Sequence, residues 1–254
     1  MKTEILYEDN SILVIRKPAG LAVQSAGIGQ PDVVSELKSY LAKLPDAGRP
    51  GKGEPYLGIV HRLDQPVEGL LVFAKDKKAA AILSKQLTEG ALNKHYYAVL
   101  CGYPDCPEGD LVDYLRKEGN VAVAVTGREQ GFADAKIAVL HYRILEEIND
   151  PSPLALADVT IGTGRFHQIR VQFAHAGFPL LGDTKYGMAV LKEAMPAQKY
   201  RGVALCAYSL ELVHPVSGKK MGFRVVPKNP AFAGFAMEEL KKLTENETGI
   251  SKRG

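Results

Sequence analysis

Apolar residues along this chain fall in short runs and alternations bounded by turn-forming residues, the pattern of a strand-rich protein with a few helices. Ile5-Leu6-Tyr7 and Ile12-Leu13-Val14-Ile15 predict two strands about a turn at Asp9-Asn10-Ser11, and Lys17-Pro18-Ala19-Gly20 ends the second. From Val33 the period changes. Val33, Val34, Leu37, Leu41 and Leu44 share one helical face, and Asp32 is placed to cap it. Strands are expected over 57–60 and 70–74, then a helix over 78–87 closed by a left-handed Gly90. Further strands follow over 96–100, 121–125, 137–145, 156–161, 203–212 and 222–226. A helix is predicted over 165–176, with Phe166, Ile169 and Phe173 in its apolar stripe and Gly177 as its stop. A last helix is expected near 232–243, and the polar tail 245–254 reads as frayed.

Strands outnumber helices and do not alternate regularly with them, which argues for an α+β fold with a largely antiparallel sheet. No linker or repeat divides the chain, so residues 1–254 are expected to form one domain. The apolar fraction of 46% and charged fraction of 24% are those of an ordinary soluble protein. No apolar run reaches the length of a membrane span, and Met1-Lys2-Thr3-Glu4 is not a secretory leader. Cys101, Cys106 and Cys206 suit neither a zinc site nor a redox pair, and read as reduced thiols in a cytoplasmic protein. The net charge of +3 says little by itself. Its distribution says more. Arg165, Arg170, Lys185, Lys192, Lys199 and Arg201 are opposed only by Asp183 and Glu193 over 162–201, which suits either a polyanionic partner or a solvated face.

Candidate chemistry concentrates in His61-Arg62-Leu63-Asp64-Gln65-Pro66-Val67-Glu68-Gly69, followed by the apolar Leu70-Leu71-Val72-Phe73. A charged turn anchored by a buried strand is a common way to hold a reactive group. Glu68 reads as a solvated turn residue. The alternative is a second carboxylate facing Asp64, as a hydrolase or glycosidase would require. The Gly/Pro-rich loop over 45–54, with Arg49 and Lys52, precedes this segment directly.

Gly27-Ile28-Gly29 and Gly162-Thr163-Gly164 do not complete a dinucleotide or phosphate-loop motif, and no HExxH, DFG or GxSxG is present. A basic, polar helix start remains at Gly164-Arg165-Phe166-His167-Gln168-Ile169-Arg170, whose arginines suit either a carboxylate or phosphates. In Lys94-His95-Tyr96-Tyr97-Ala98-Val99-Leu100, Tyr96 shares a face with Ala98 and Leu100, as core or as a stacking surface.

Together these segments resemble the RluA family of pseudouridine synthases, in order and spacing, from about residue 6 to residue 226. The family's Lys-Pro-Ala-Gly appears at Lys17–Gly20, its HRLD at His61–Asp64 and its K-x-Y-x-A at Lys94, Tyr96 and Ala98. Its long GRTHQIR motif appears at Gly164-Arg165, His167–Val171, Gly182-Asp183 and Tyr186-Gly187, and its later leucine motif at Leu205. Val67 and Glu68 stand where the family has Thr-Ser, Phe166 where it has Thr, and Gln172 where it has His.

The resemblance implies a pseudouridine synthase fold, with helices and loops flanking a mixed, largely antiparallel sheet and a central RNA-binding cleft. It also implies that the chain begins at the catalytic domain, without the small S4-type domain that many relatives carry. The implied reaction isomerises uridine to pseudouridine in a ribosomal or transfer RNA stem-loop, without metal, nicotinamide or ATP. Asp64 would be the essential carboxylate, attacking ribose C1′ or removing the C2′ proton. Arg165 would be its ion-pair partner, Tyr96 would pack on the uracil and Leu205 would wall the pocket. Arg62 would fill the space left by the flipped base or hold the flanking phosphate, and His61, His167, Gln168 and Arg170 are further candidate substrate contacts. No protein partner is implied, and a monomer suffices. An RNA-binding protein without catalysis is the competing reading.

Overall fold

The computed structural model describes residues 1–25, 27, 29–44, 54–125, 134–149, 152–187 and 202–236. The loop carrying Arg49 and Lys52, the residues Lys192, Glu193, Lys199 and Arg201, the tail 245–254 and most of the expected last helix lie outside these residues. The strands in chain order are β1 (Glu4–Glu8), β2 (Ile12–Lys17), β3 (Gly58–Ile59), β4 (Glu68–Ala74), β5 (Asn93–Cys101) and β6 (Glu108–Glu118). They continue with β7 (Val121–Val125), β8 (Lys136–Ile148), β9 (Leu154–Ile161), β10 (Leu205–Val213) and β11 (Lys220–Arg224). The helices are α1 (Val33–Leu41), α2 (Lys77–Thr88) and α3 (Gln168–His175), and a short 3-10 turn spans Pro230–Phe232. The paired strands described in register are antiparallel. The α+β expectation therefore holds, and the chain divides into two compact units.

The first unit comprises Met1–Lys94 and Ala207–Pro227. Its strand order is β1-β2-β4-β10, with β3 on β4 and β11 on β10. Every residue of β2 and β4 is buried, polar ones included. Ile12–Ile15 and Leu70–Phe73 are at most 1% exposed, and each such side chain contributes about 1.5–3 kcal/mol by leaving water. Opposite each other in register stand Arg16 and Leu70, then Lys17 and Gly69. Asp32 caps α1 as its side chain accepts from the Ser35 amide at 2.7 Å, and Asp76 caps α2 through the Ala79 amide at 2.8 Å.

The second unit comprises His95–Cys206 and Lys228–Gly254, with strand order β5-β9-β8-β6-β7. Strand β6 was not expected. Its apolar residues are interleaved with charges, so it forms through pairing with β7 and β8 rather than from a strong local pattern. Helix α3 covers one face, where Val171 joins Leu115, Ala122 and Ala138, and Phe173 meets Tyr142 edge-on at 5.6 Å. That helix begins at Gln168 rather than at Arg165, because His167 takes a left-handed conformation with φ 55° and breaks the helical run.

Candidate active site

Asp64 is half-buried on a turn that closes with a 3.1 Å bond from the Val67 amide to the Asp64 carbonyl. Leu63 and Val67, 8% and 2% exposed, plug the core on either side of it. The apolar Val67 therefore suits its buried place, although the family has Thr there. Two residues on, Gly69 has φ 129°, and a Cβ at this position would lie 2.4 Å from the Ala207 carbonyl oxygen. Only glycine lets β4 leave the turn so close to the backbone of β10.

The turn is held from β2. Lys17 is fully buried, and its ammonium donates to the carbonyls of Pro18 (3.0 Å), Leu21 (2.7 Å) and Gln65 (3.0 Å). The Gln65 carbonyl also accepts from the Gly20 amide at 2.8 Å, so the residue after Asp64 is tied twice to the Lys-Pro-Ala-Gly segment. Burial pulls the Lys17 ammonium down to about 8, against the opposing pull of the Asp64 and Glu68 charges.

Glu68 departs from expectation. It is not a solvated turn residue. It is 4% exposed, and Arg16 Nη2 lies 3.3 Å from its carboxylate while also donating to the Val226 carbonyl at 2.6 Å. The reason is register: Arg16 stands opposite Leu70, so Glu68, two residues before Leu70, is its diagonal neighbour on the same sheet face. A carboxylate so committed is a poor second catalytic acid, which removes the main support for a glycosidase.

His61 also differs from its expected role as a substrate contact. It is 8% exposed, its Nε2 faces the Val72 amide at 3.4 Å, and Nδ1 has no hydrogen-bond partner among the described residues. Burial, then the nearby Lys94 charge, drives its pKa down to about 3, so it is a neutral packing group behind the turn. Arg62, in contrast, is exposed and donates to Gln24 Oε1 at 3.0 Å. A cavity of about 720 Å³ opens at Gln24, lined also by Pro18, Gly20, Gln30 and Gln65 among others.

The second unit carries the remaining candidates. Tyr96 lies on β5 opposite Val159 and is 5% exposed, and Leu205 is 4% exposed at the start of β10. Arg165 is half-buried just before α3, and its Nε donates to the Ile137 carbonyl at 2.9 Å. Beside it Phe166 and His167 stack at 3.8 Å, Lys117 lies over the Phe166 ring, and His167 Nδ1 meets the Tyr186 hydroxyl at 2.6 Å. The exposed Phe166 ring, with a cation above it, forms a surface on which a base can stack.

Two neighbours in the same motif are structural instead. Gln168 accepts from the Thr163 hydroxyl (2.8 Å) and the Arg165 amide (3.0 Å) and donates to the Val139 carbonyl (2.9 Å), so its amide is spent inside the protein. Arg170 is 3% exposed and pairs with the fully buried Asp183 through two bonds of 2.7 and 2.8 Å. It takes the carboxylate, not a phosphate. Gln172, where the family has His, bridges α3 to β6 and β8 through the Leu111 and Ala138 carbonyls and the Asp113 carboxylate. Among the described residues no helix is long and apolar enough to cross a membrane, and no cluster of three His, Cys, Asp or Glu could hold a metal ion.

Residues 11–175 match the family model described as RNA pseudouridylate synthase. An RNA pseudouridine synthase of Synechocystis is 40% identical over 85% of this chain and 63% of its own length. Ribosomal large subunit pseudouridine synthase D of Pseudomonas aeruginosa is 36% identical over 87% of this chain and 67% of its own. The chain thus spans about two thirds of the length of these curated relatives. Among solved structures, human RNA pseudouridylate synthase domain containing 4 superposes with TM-score 0.67 at 25% identity, covering 94% of this chain and 93% of that one. The matched span contains the Asp64 turn, its clamp on β2, Tyr96 and the Arg165 segment, and on these grounds the chain belongs to the RNA pseudouridylate synthase family.

Proposed function

We propose that the protein isomerises uridine to pseudouridine in a structured ribosomal or transfer RNA, with Asp64 as the essential carboxylate. The observation that carries this reading is the Asp64 turn itself. A half-buried carboxylate is fixed by Lys17 through the Gln65 carbonyl and backed by two fully buried strands, at the place where the family has its essential aspartate. Such rigidity is what a group attacking one ribose carbon, or removing one ribose proton, needs.

In this proposal Asp64 has the partners that the family assigns. Arg165 is its ion-pair partner, Tyr96 packs on the uracil and Leu205 walls the pocket. Arg62 occupies the gap left by the flipped nucleotide. The stacked Phe166 and His167, with Lys117 above, support stacking and phosphate contacts to a loop whose bases are splayed out. The chain acts as one catalytic domain and as a cytoplasmic monomer.

The test is tritium release from RNA carrying 5-tritiated uridine, with pseudouridine mapping of total RNA from cells with and without the gene. Asp64→Ala should keep RNA binding and lose turnover. Substantial release by that variant sinks the assignment of Asp64. Absence of release by the wild-type protein on any cellular RNA favours a binder that has lost catalysis.

A further inference from the structure

We infer that Arg16 and Glu68 are a positioning pair for the Asp64 turn, gripping its exit into β4 while Lys17, the next residue of β2, grips its entry. The inference rests on the proposed role of Asp64 and adds to it two residues that the resemblance does not supply, because the family has Ser where this chain has Glu68. Consecutive residues of a strand point to opposite faces. Arg16 therefore reaches Glu68 on one face of the sheet, and Lys17 reaches the Gln65 carbonyl from the other. Pro66 and Val67 lie between these two attachments, and Asp64 directly precedes the first.

The Arg16 guanidinium adds a third attachment, since it also holds the Val226 carbonyl at 2.6 Å. One planar group thus joins β2, the exit of the turn and the segment after β11. Stability alone is a weak explanation for such a pair, because burying two charges offsets most of their attraction. A fixed position for the turn is a better one.

Charge links the two attachments. Lys17 is faced by Asp64 from the turn and by Glu68 from β4, with Arg16 beside it on the strand and Lys2 lining the adjacent cavity. A protonated lysine has a donor for each of the Pro18, Leu21 and Gln65 carbonyls. A neutral amine has one donor too few. The Glu68 carboxylate, paired with Arg16, favours the ammonium and so keeps the bond to Gln65.

The experiment compares wild-type protein, Glu68→Gln and the double variant Arg16→Gln with Glu68→Gln, all as full chains. Lys17 is followed by NMR of lysine labelled at Cε, its signal identified by its absence in Lys17→Met. Glu68→Gln should lower the Lys17 titration midpoint by about one pH unit, and the double variant, which also removes the Arg16 cation beside Lys17, should lower it by less. Both should lower kcat about tenfold or more, with KM for RNA within about twofold. The double variant removes both buried charges together, so it should melt near the wild-type temperature. An unmoved Lys17 midpoint in Glu68→Gln, or wild-type kcat in the folded double variant, overturns the inference. If wild-type protein releases no tritium, the isomerase reading fails while the Lys17 titration still decides whether Glu68 acts on the clamp.

Discussion

The Lys17 ammonium donates a 3.0 Å hydrogen bond to the carbonyl of Gln65, the residue that follows Asp64. This bond puts a titratable group in control of the Asp64 turn, and it separates activity from stability in the alkaline range. In the folded protein Lys17 loses its proton near pH 8, whereas in the unfolded chain it keeps it to about 10.5. Between these values the unfolded chain binds more protons, so the contribution of Lys17 to stability rises with pH. Turnover should do the opposite and fall through pH 8 as the bond to Gln65 weakens. Tritium release and thermal melts from pH 7 to 9.5 check this. A parallel loss of both would show that the alkaline limb reports unfolding instead.

Gly69→Ala should be among the most damaging small substitutions in the first unit. The φ of 129° is strained for any L side chain, and the new methyl would meet the Ala207 carbonyl oxygen at 2.4 Å and amide nitrogen at 2.5 Å. These are backbone atoms between paired strands, which cannot swing aside. A loss of about 3 kcal/mol or more is expected, read by urea denaturation.

Arg165 and Arg170 look alike in the sequence and should behave differently. Arg170→Ala strands the fully buried Asp183 carboxylate and should destabilise the protein by about 3–5 kcal/mol. Arg165→Ala removes one hydrogen bond at the surface, to the Ile137 carbonyl, worth about 1 kcal/mol. It should keep the fold and lower kcat by about a hundredfold if it serves Asp64. Melting curves paired with single-turnover assays separate the two. Wild-type turnover in folded Arg165→Ala would remove that arginine from the chemistry.

These cases mark what was legible in the sequence. β2 and β4 were, because Ile12–Ile15 and Leu70–Phe73 are unbroken apolar runs buried on both faces. β6 was not, since Asp110, Asp113 and Arg116 interrupt its apolar residues and its partners on β8 lie about thirty positions away. The Asp64 string itself could be read. The burial of Glu68 could not, because it depends on Arg16, 52 residues earlier and diagonal across a register that no local pattern specifies. Gln168 and Arg170 read as substrate contacts for a similar reason. Their partners Val139 and Asp183 come from a strand and a turn that only the fold brings to α3.

His61 yields a last expectation, at acid pH. Burial comes first and the Lys94 charge second in driving its folded pKa down to about 3 from an ordinary 6.5. Between those values the unfolded chain carries a proton on His61 that the folded chain does not, so stability falls as pH drops below 6.5. His61→Gln should retain an acceptor towards the Val72 amide and cannot be protonated in this range. The variant should therefore melt closer to its neutral-pH temperature at pH 5 than the wild-type protein does. It should also keep most of its turnover at pH 7, since His61 lies behind the Asp64 turn as a packing group. Equal acid sensitivity in the two proteins would place the titrating group elsewhere, and a collapse of kcat in a well-folded His61→Gln would return His61 to the substrate-contacting residues.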